Sequence, residues 1–352
     1  MPKQKRGASS QKKTQKLQIS TNPPSVAEKN SQFILQSDGQ YSFIPEIPEM
    51  IQKAHGPVVD RLLSETADIE SAVLIDDETE STPRPLPIQT RVMLDYEGLD
   101  VDTIGNMRIT AFDREVIDAV ASLMNYNSFI TSEMIFRVIM GKRNARYISD
   151  HQCDLIRDSL MRCSHARLHI SVTDLTEKGS PIGRQLRALG FQKEYTGPVL
   201  AFEVVREINP KNGKMIDFYR ILSQPTIFRY AASLGKVSKF PIWLLDTSVS
   251  KTVKVIVLQS FLLRSIDSMY RNGDQQFIDA KRIYESVNAQ HDTDQVKARI
   301  RKHTKTILSD WIEKGFISGF QLHMAGNKIK GYDIMLNQFN NYPALELPEK
   351  TE

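Results

Sequence analysis

Apolar residues recur at helical spacing in three consecutive stretches between positions 110 and 165. Such spacing predicts three amphipathic helices, each with one face on a core. Thr110 opens the first helix, Thr131 or Ser132 caps the second, and Ser149 caps the third. Gly141 is expected to end the second helix. The predicted core positions are Val116, Ile117, Val120, Leu123 and Met124, then Met134, Ile135, Val138 and Ile139, then Cys153, Ile156, Leu160 and Cys163.

Segments of strand-like character follow these helices. Residues 199–208 and 215–222 alternate in polarity, and residues 209–213 between them read Asn-Pro-Lys-Asn-Gly, which is a strong turn signal. This pattern predicts a β-hairpin.

The same order returns further along the chain. Apolar periodicity predicts helices over residues 252–271 and 277–288, and a long helix from about Asp292 to Lys314 that Asp292 or Thr293 caps and Gly315 stops. A second hairpin is expected to turn near Gly326. Three helices followed by a hairpin is the layout of a winged helix, so the sequence predicts two of them.

The predicted fold class is therefore α+β, with two tandem winged-helix domains behind a disordered basic tail and an acidic, weakly structured segment. We expect a buried strand or packing segment around Phe240–Asp246, between the two domains. The predicted boundaries are 1–36 for the tail, 37–106 for the acidic linker or arm, 107–235 and 236–340 for the winged helices, and 341–352 for a C-terminal tail.

The net charge of +4 conceals a segmented distribution. Residues 1–16 carry six basic residues and no acid, whereas residues 37–106 carry 15 acids and 4 bases. Both predicted winged helices are basic. The tail could scan nucleic acid or serve only solubility, and the two interpretations stay open. For the acidic segment, the pattern favours a solvated linker over an arm docked on a basic face.

The third helix of the second domain has the features of a helix that reads DNA. At about 100° per residue, Ile300, Ile307 and Trp311 share the core side. The outward side is basic, and no acid occurs between Val296 and Ser309. The predicted DNA contacts are Lys297, Arg301, Lys302 and Lys305 on this helix, Lys328 and Lys330 in the wing, and Arg143 and Arg146 in the first domain.

The corresponding helix of the first domain differs, because its outward side carries Asp154 and Asp158 beside Arg162. Carboxylates facing a phosphate backbone are unfavourable. We therefore expect the second domain to dominate DNA binding and the first to add backbone contacts or self-association.

Signatures of catalysis, metals and membranes are weak or absent in the sequence. There is no P-loop, and Cys163, His165 and His169 lack a fourth ligand and straddle a predicted element boundary. No apolar run reaches the length of a membrane helix. We expect a protein that is not an enzyme, has no cofactor or metal, does not bind membranes and works in the cytoplasm with the plasmid or nucleoid.

Three segments resemble replication initiator proteins of bacterial plasmids and related mobile elements. They read ITAFDREVIDAV at Ile109–Val120, FPIWLLD at Phe240–Asp246 and LSDWIEKGFI at Leu308–Ile317. The resemblance implies binding to repeated origin sequences and local strand opening, with the host replication initiator and helicase as partners. It also implies a monomer–dimer equilibrium. The acidic segment departs from this family, so its contacts do not transfer.

The leading hypothesis is sequence-specific binding to double-stranded DNA at a replication origin, which would initiate replication of a plasmid or mobile element. The alternative is a winged-helix transcription regulator, including one that represses its own gene. A nuclease or recombinase is the third class and the least favoured. The first two need the same groove-reading helix, so the sequence leaves both open.

Overall fold

A computed structural model describes most of the two predicted winged-helix regions and parts of the segment before them. The described residues are 33–35, 41–43, 46–56, 59, 73–76, 89–95, 108–142, 148–173, 194–208, 215–233, 235–273, 275–326 and 328–337. The predicted basic tail as far as residue 32, the predicted C-terminal tail, Arg143 and Arg146 lie outside this set.

Five strands precede the first helical unit in the described part of the chain. They are β1 (Phe33–Leu35), β2 (Tyr41–Phe43), β3 (Met50–Ala54), β4 (Val73–Asp76) and β5 (Gln89–Asp95). The first two pair with each other, and β4 pairs with β5.

The described residues of the first unit form three helices, a three-stranded sheet and two further strands. Its elements are α1 (Ala111–Leu123), β6 (Ile130–Thr131), α2 (Ser132–Met140), α3 (Asp150–His165), β7 (Arg167–Thr173), β8 (Glu194–Pro198), β9 (Phe202–Ile208) and β10 (Met215–Ile221). The short strand between the first two helices pairs with the second strand of the hairpin, in the order β6-β10-β9. β7 and β8 extend the earlier strands into a four-stranded antiparallel sheet, β4-β5-β7-β8.

A short connection leads to the second unit. It consists of α4 (Thr226–Ser233), β11 (Val237–Pro241) and a 3₁₀ turn (Ile242–Leu245). β11 pairs with β3. The predicted packing segment around Phe240–Asp246 is confirmed, with Phe240, Ile242 and Leu244 all buried.

The second unit repeats the order and the pairing of the first, except that within the described residues it has no counterpart of β7 and β8. Its elements are α5 (Val253–Asn272), β12 (Phe277–Asp279), α6 (Ala280–Ser286), α7 (Asp294–Glu313), β13 (Ile317–Ala325) and β14 (Lys328–Leu336). The short strand again pairs with the second hairpin strand, in the order β12-β14-β13. The predicted succession of helices and hairpin is present in both units, whereas the short strands β6 and β12 were not predicted.

Helix ends follow the predicted caps. Thr131 Oγ1 accepts a hydrogen bond from Met134 N at 3.3 Å. Ser149 and Gln152 form a reciprocal capping box, and Thr293 rather than Asp292 caps α7.

Gly141 ends α2 with a φ of 75°, in the left-handed region that favours glycine. A Cβ at this position would lie 2.4 Å from Asp246 N and 2.8 Å from Ile242 O. Because the backbone of the 3₁₀ turn passes so close, only glycine fits here.

Two predictions about the N-terminal segments are wrong for particular residues. Residues 33–35, placed in the disordered tail, form a strand with residues 41–43. Residues 46–56 are not a solvated linker, since β3 pairs with β11 and buries Ile51 against the core. The prediction of a linker came from the prolines and acids in the sequence around β3. The strand that pairs with β3 is β11, which is distant in sequence, so the pairing leaves no local signal.

A buried ionic network joins β3 to both units, and we call it the Glu115 network. The Glu115 carboxylate accepts from Lys53 Nζ at 2.5 Å, from Arg264 Nη1 at 3.1 Å and from the Ser260 hydroxyl. These donors come from β3 and α5, while Glu115 belongs to α1. Burial alone raises the pKa of Glu115, but the charges of Lys53 and Arg264 outweigh it and lower the pKa to about 2. The carboxylate is therefore charged at neutral pH.

Asp118 lies one helical turn further along α1 and behaves differently. Its Oδ1 accepts from Ala54 N at 3.0 Å, while its Oδ2 is 3.8 Å from Lys53 Nζ and has no hydrogen-bond partner among the described residues. Burial and the nearby charge of Glu115 raise the pKa of Asp118 to about 6, against the opposing effect of Lys53. The pKa values of two neighbouring carboxyls thus shift in opposite directions.

A second connection runs through Trp311 of α7. Its indole N–H donates to Leu244 O at 2.9 Å, and Gln259 Nε2 donates to the same carbonyl at 3.0 Å. Two helices of the second unit thereby hold the 3₁₀ turn, while Gly141 of the first unit lies against it. None of the helices in the described part of the chain is long and apolar enough to cross a membrane.

We predict that Glu115→Gln lowers the free energy of unfolding by about 3–5 kcal/mol, because it leaves two buried cations without their shared carboxylate. Denaturant unfolding measures this loss. Glu133→Gln is the matched control, since Glu133 forms a solvent-exposed pair with Arg137 on α2 and should cost less than about 1 kcal/mol. Equal losses of unfolding free energy in the two variants would contradict the conclusion that the buried Glu115 carboxylate holds the fold together.

We predict that Asp118→Asn becomes more stable relative to the wild type as the pH rises. A carboxyl whose pKa is raised from 3.8 to about 6 in the folded state stabilises the fold at low pH, and this stabilisation is lost as the pH rises through about 6. Because the variant keeps Glu115, the difference between the two unfolding curves isolates Asp118. Parallel curves between about pH 4 and pH 7 would refute the raised pKa.

Candidate nucleic-acid interface

The core side of α7 fixes which residues face solvent. Ile300, Thr304, Ile307, Leu308 and Trp311 are buried, and Thr304 satisfies its hydroxyl by donating to Ile300 O at 3.0 Å. The core positions predicted on this helix, Ile300, Ile307 and Trp311, are all among them. The opposite side carries the basic residues.

The exposed basic face of α7 is centred differently from the prediction. Lys302 is exposed as expected, while Lys297, Arg301 and Lys305 are only half-exposed. Arg299, which is not among the predicted contacts, is exposed. The buried side extends to Thr304 and Leu308, so it turns Arg301 toward the neighbouring helix α6 and brings Arg299 outward.

Arg301 contacts α6 through Tyr284. Its Nη1 donates to the Tyr284 hydroxyl at 2.9 Å, and the ammonium of Lys297 lies 5.9 Å from the centroid of the same ring. The buried hydroxyl of Tyr332, which neighbours Tyr284, donates to Arg301 O at 3.5 Å. Partial burial and the charges of Arg299 and Lys302 lower the pKa of His303, so this histidine adds no charge to the face near neutral pH.

The hairpin β13–β14 carries the other predicted lysines, and both Lys328 and Lys330 are exposed. The pairing register shifts at this point, from His323 opposite Gly331 to Met324 opposite Ile329, and leaves Lys330 with no residue opposite it. Such a β-bulge changes the direction of its side chain relative to regular alternation. Gly331 is needed here because a Cβ would lie 2.4 Å from Ile278 O of β12.

Two further exposed bases, Lys281 and Arg282, begin α6 and were missed in the sequence. Their signal was a basic pair two residues after the N-cap Asp279, whose Oδ1 accepts from Lys281 N at 2.7 Å. Lys281 is 81% exposed and lies 3.7 Å from Glu285. The helix before α7 thus adds positive charge to the same unit.

The first unit presents an acidic α3, as predicted. Asp154 and Asp158 are exposed, and Arg157 lies 2.7 Å from Asp154 and 3.2 Å from Asp217. The carboxylates of this helix therefore face solvent, and Arg157 links Asp154 to Asp217 of β10.

Among the basic residues predicted on the first unit, one turns out differently and two are untested. Arg162, expected on the outward side, instead turns inward and binds the buried Asp113, with Nη2–Oδ1 at 2.6 Å and Nε–Oδ2 at 3.0 Å. The predicted contacts Arg143 and Arg146 fall outside the described residues, so they stay a prediction.

Within the described part of the chain, no three metal-ligating side chains come together. Cys163 is buried, and burial raises the pKa of its thiol well above the usual value. His165 Nδ1 lies 2.8 Å from Met161 O. The metal site that these residues suggest in the sequence therefore gains no geometric support.

No protein-family model and no curated protein matches the chain. Among solved structures, it is similar to two crystal structures of domains 2 and 3 of RctB. The first has 13% sequence identity and a TM-score of 0.41, and the match covers 79% of this chain and 96% of that chain. The second has 14% sequence identity and a TM-score of 0.39, and the match covers 79% of this chain and 95% of that chain. It is also similar to the Pi initiator protein in complex with iteron DNA, with 13% identity, a TM-score of 0.33 and coverage of 65% and 94%. Initiators are the class that the sequence resembles.

We predict that Lys302→Ala combined with Lys305→Ala weakens binding to any DNA duplex. The slope of log K against log salt should fall by about two, because each lysine pairs with one phosphate. Titrations at several salt concentrations give the slope. Lys239→Ala is the control, because Lys239 is exposed on β11, outside both hairpins and both third helices, and it should leave the slope unchanged. An unchanged slope in the α7 variant would remove this face from the interface.

Proposed function

We propose that the chain is a sequence-specific double-stranded DNA-binding protein that initiates replication at an origin on a plasmid or other mobile element. It would do so as a binding protein rather than an enzyme, with no cofactor.

Each unit would act as a winged helix. The element order of helix, strand, helix, helix and hairpin, with the first strand against the last, supports this in both units. In such a motif the third helix lies in the major groove and the helix before it crosses the backbone. By this assignment α7 reads DNA, α6 contacts the backbone and the β13–β14 hairpin is the wing.

The observation that carries the proposal is the exposed basic face of α7. Arg299 and Lys302 are exposed, Lys297, Arg301 and Lys305 are half-exposed beside them, and no carboxylate occurs between Val296 and Ser309. A solvated surface helix ordinarily mixes charges of both signs. Here the helix in the DNA-reading position carries only positive charges on this stretch, and such a surface favours a polyanion as the ligand.

Basic residues outside α7 would bind phosphates on either side of the groove: Lys281 and Arg282 on α6, and Lys328 and Lys330 on the wing. The first unit contributes less, because α3 shows carboxylates on its exposed side. Its role would be backbone contact or association with a second copy, in a monomer–dimer equilibrium.

The assignment to replication rests on the sequence resemblance to plasmid initiators. Repeated origin sites would be the DNA target, and the host replication initiator and helicase would join after local strand opening. A winged-helix transcription regulator uses the same DNA-reading surface and is the alternative. The two functions differ in whether the DNA that the protein binds supports autonomous replication.

We predict that purified protein protects several similar, repeated sites in the DNA flanking its own gene. Footprinting locates the sites, and cloning that DNA with the gene on a replicon lacking an origin tests whether it supports autonomous replication. Replication that depends on the repeats supports an initiator. Protection of a single operator without replication would favour the regulator, and a metal-dependent nick in the bound DNA would contradict a non-enzymatic protein.

A further inference from the structure

Tyr284 of α6 contacts two basic residues of α7 at once. Its hydroxyl accepts from Arg301 Nη1 at 2.9 Å, and the centroid of its ring lies 5.9 Å from the Lys297 ammonium. Tyr284 is itself only half-buried, so this contact lies at the surface beside the exposed face of α7. A single side chain of one helix therefore orients two cations of the next.

The chemistry suits a guanidinium that reads a base. Arginine presents five N–H donors in a planar fork, and two of them pair with O6 and N7 of guanine in the major groove. A hydrogen bond from one Nη1 hydrogen to Tyr284 restricts the plane of the fork. Because arginine has many rotamers, a restricted guanidinium loses less entropy when it binds.

The backbone beneath Arg301 is also held. The Tyr332 hydroxyl of β14 lies 3.5 Å from Arg301 O, and burial together with the neighbouring Tyr284 raises the pKa of Tyr332 to about 12. Arg301 is thus held by α6 through its side chain, with a hydroxyl of the wing close to its carbonyl. Arg299 and Lys302 make no comparable contact with a tyrosine of the described segments.

We propose that Tyr284 is a positioning residue for DNA reading: it holds the Arg301 guanidinium for a base contact and the Lys297 ammonium for a phosphate contact. This inference rests on the proposed DNA-binding function. It divides the basic face into a fixed pair beside α6, whose arginine reads sequence, and an exposed pair, Arg299 and Lys302, which adds affinity without sequence preference.

The test compares Tyr284→Phe with the wild type on two probes. One is a duplex selected by the wild-type protein from a random-sequence library, and the other is an unrelated duplex of the same length. Tyr284→Phe should bind the selected duplex roughly fivefold to tenfold more weakly, because it loses the hydroxyl and keeps the ring. Its affinity for the unrelated duplex should stay unchanged, since that binding is electrostatic.

A double-mutant cycle separates positioning from a general loss of structure. In an Arg301→Ala background, Tyr284→Phe should cause no further loss on the selected duplex, because the group that Tyr284 holds is gone. Tyr270→Phe is the control, since the Tyr270 hydroxyl donates to Phe316 O at 2.6 Å and accepts from Asn337 N at 3.0 Å in the same unit, away from the basic face. It should leave the affinities for both duplexes unchanged.

Three outcomes would overturn the positioning role alone: equal weakening on both duplexes, the same loss with and without Arg301, or a selected duplex that Tyr284→Phe binds as tightly as the wild type does. A wild-type protein that selects no duplex from the library contradicts the DNA-binding function itself. The wild-type selection thus distinguishes failure of the function from failure of the inference.

Discussion

The Glu115 carboxylate is the interaction on which the arrangement of the two units depends. It belongs to α1, yet it accepts hydrogen bonds from Lys53 of β3 and from Ser260 and Arg264 of α5. A buried charge is costly unless it is paired, so these three segments stay together for the carboxylate to remain satisfied. β3 is thereby part of the core that joins the two units, although the acidic segment to which it belongs carries a net negative charge.

This constraint also supports the DNA-reading surface we propose. Trp311 of α7 donates to Leu244 O, in the 3₁₀ turn that follows β11, and β11 pairs with β3. The position of α7 therefore connects to the Glu115 network through two short steps. At the edge of the buried side of the same helix, the half-buried Tyr284 holds the Arg301 guanidinium, and the buried Tyr332 lies close to Arg301 O. Burial and this tyrosine contact together fix which residues of α7 face solvent.

Local features of the fold could be predicted because their causes are local. Thr131, Ser149 and Thr293 cap helices through contacts within three residues, and the spacing of Ile300, Ile307 and Trp311 shows which side of α7 is buried. The exposure of Lys302 follows from the same spacing. Other predictions were wrong where a distant partner intervened. Arg162 turns inward because its guanidinium pairs with the buried Asp113, and residues 46–56 include a strand because β11 offers an edge.

The sequence by itself determined the two successions of helices and hairpin, and the contrast between a basic α7 and an acidic α3. Periodicity and charge are properties of neighbouring residues, so no tertiary contact was needed to infer them. Only the tertiary structure decided that β3 binds both units, that Arg301 pairs with Tyr284 while Arg299 faces solvent, and that Lys330 lies on a bulge. Each of these depends on hydrogen bonds or packing between segments distant in sequence, and no local spacing encodes which of them will meet.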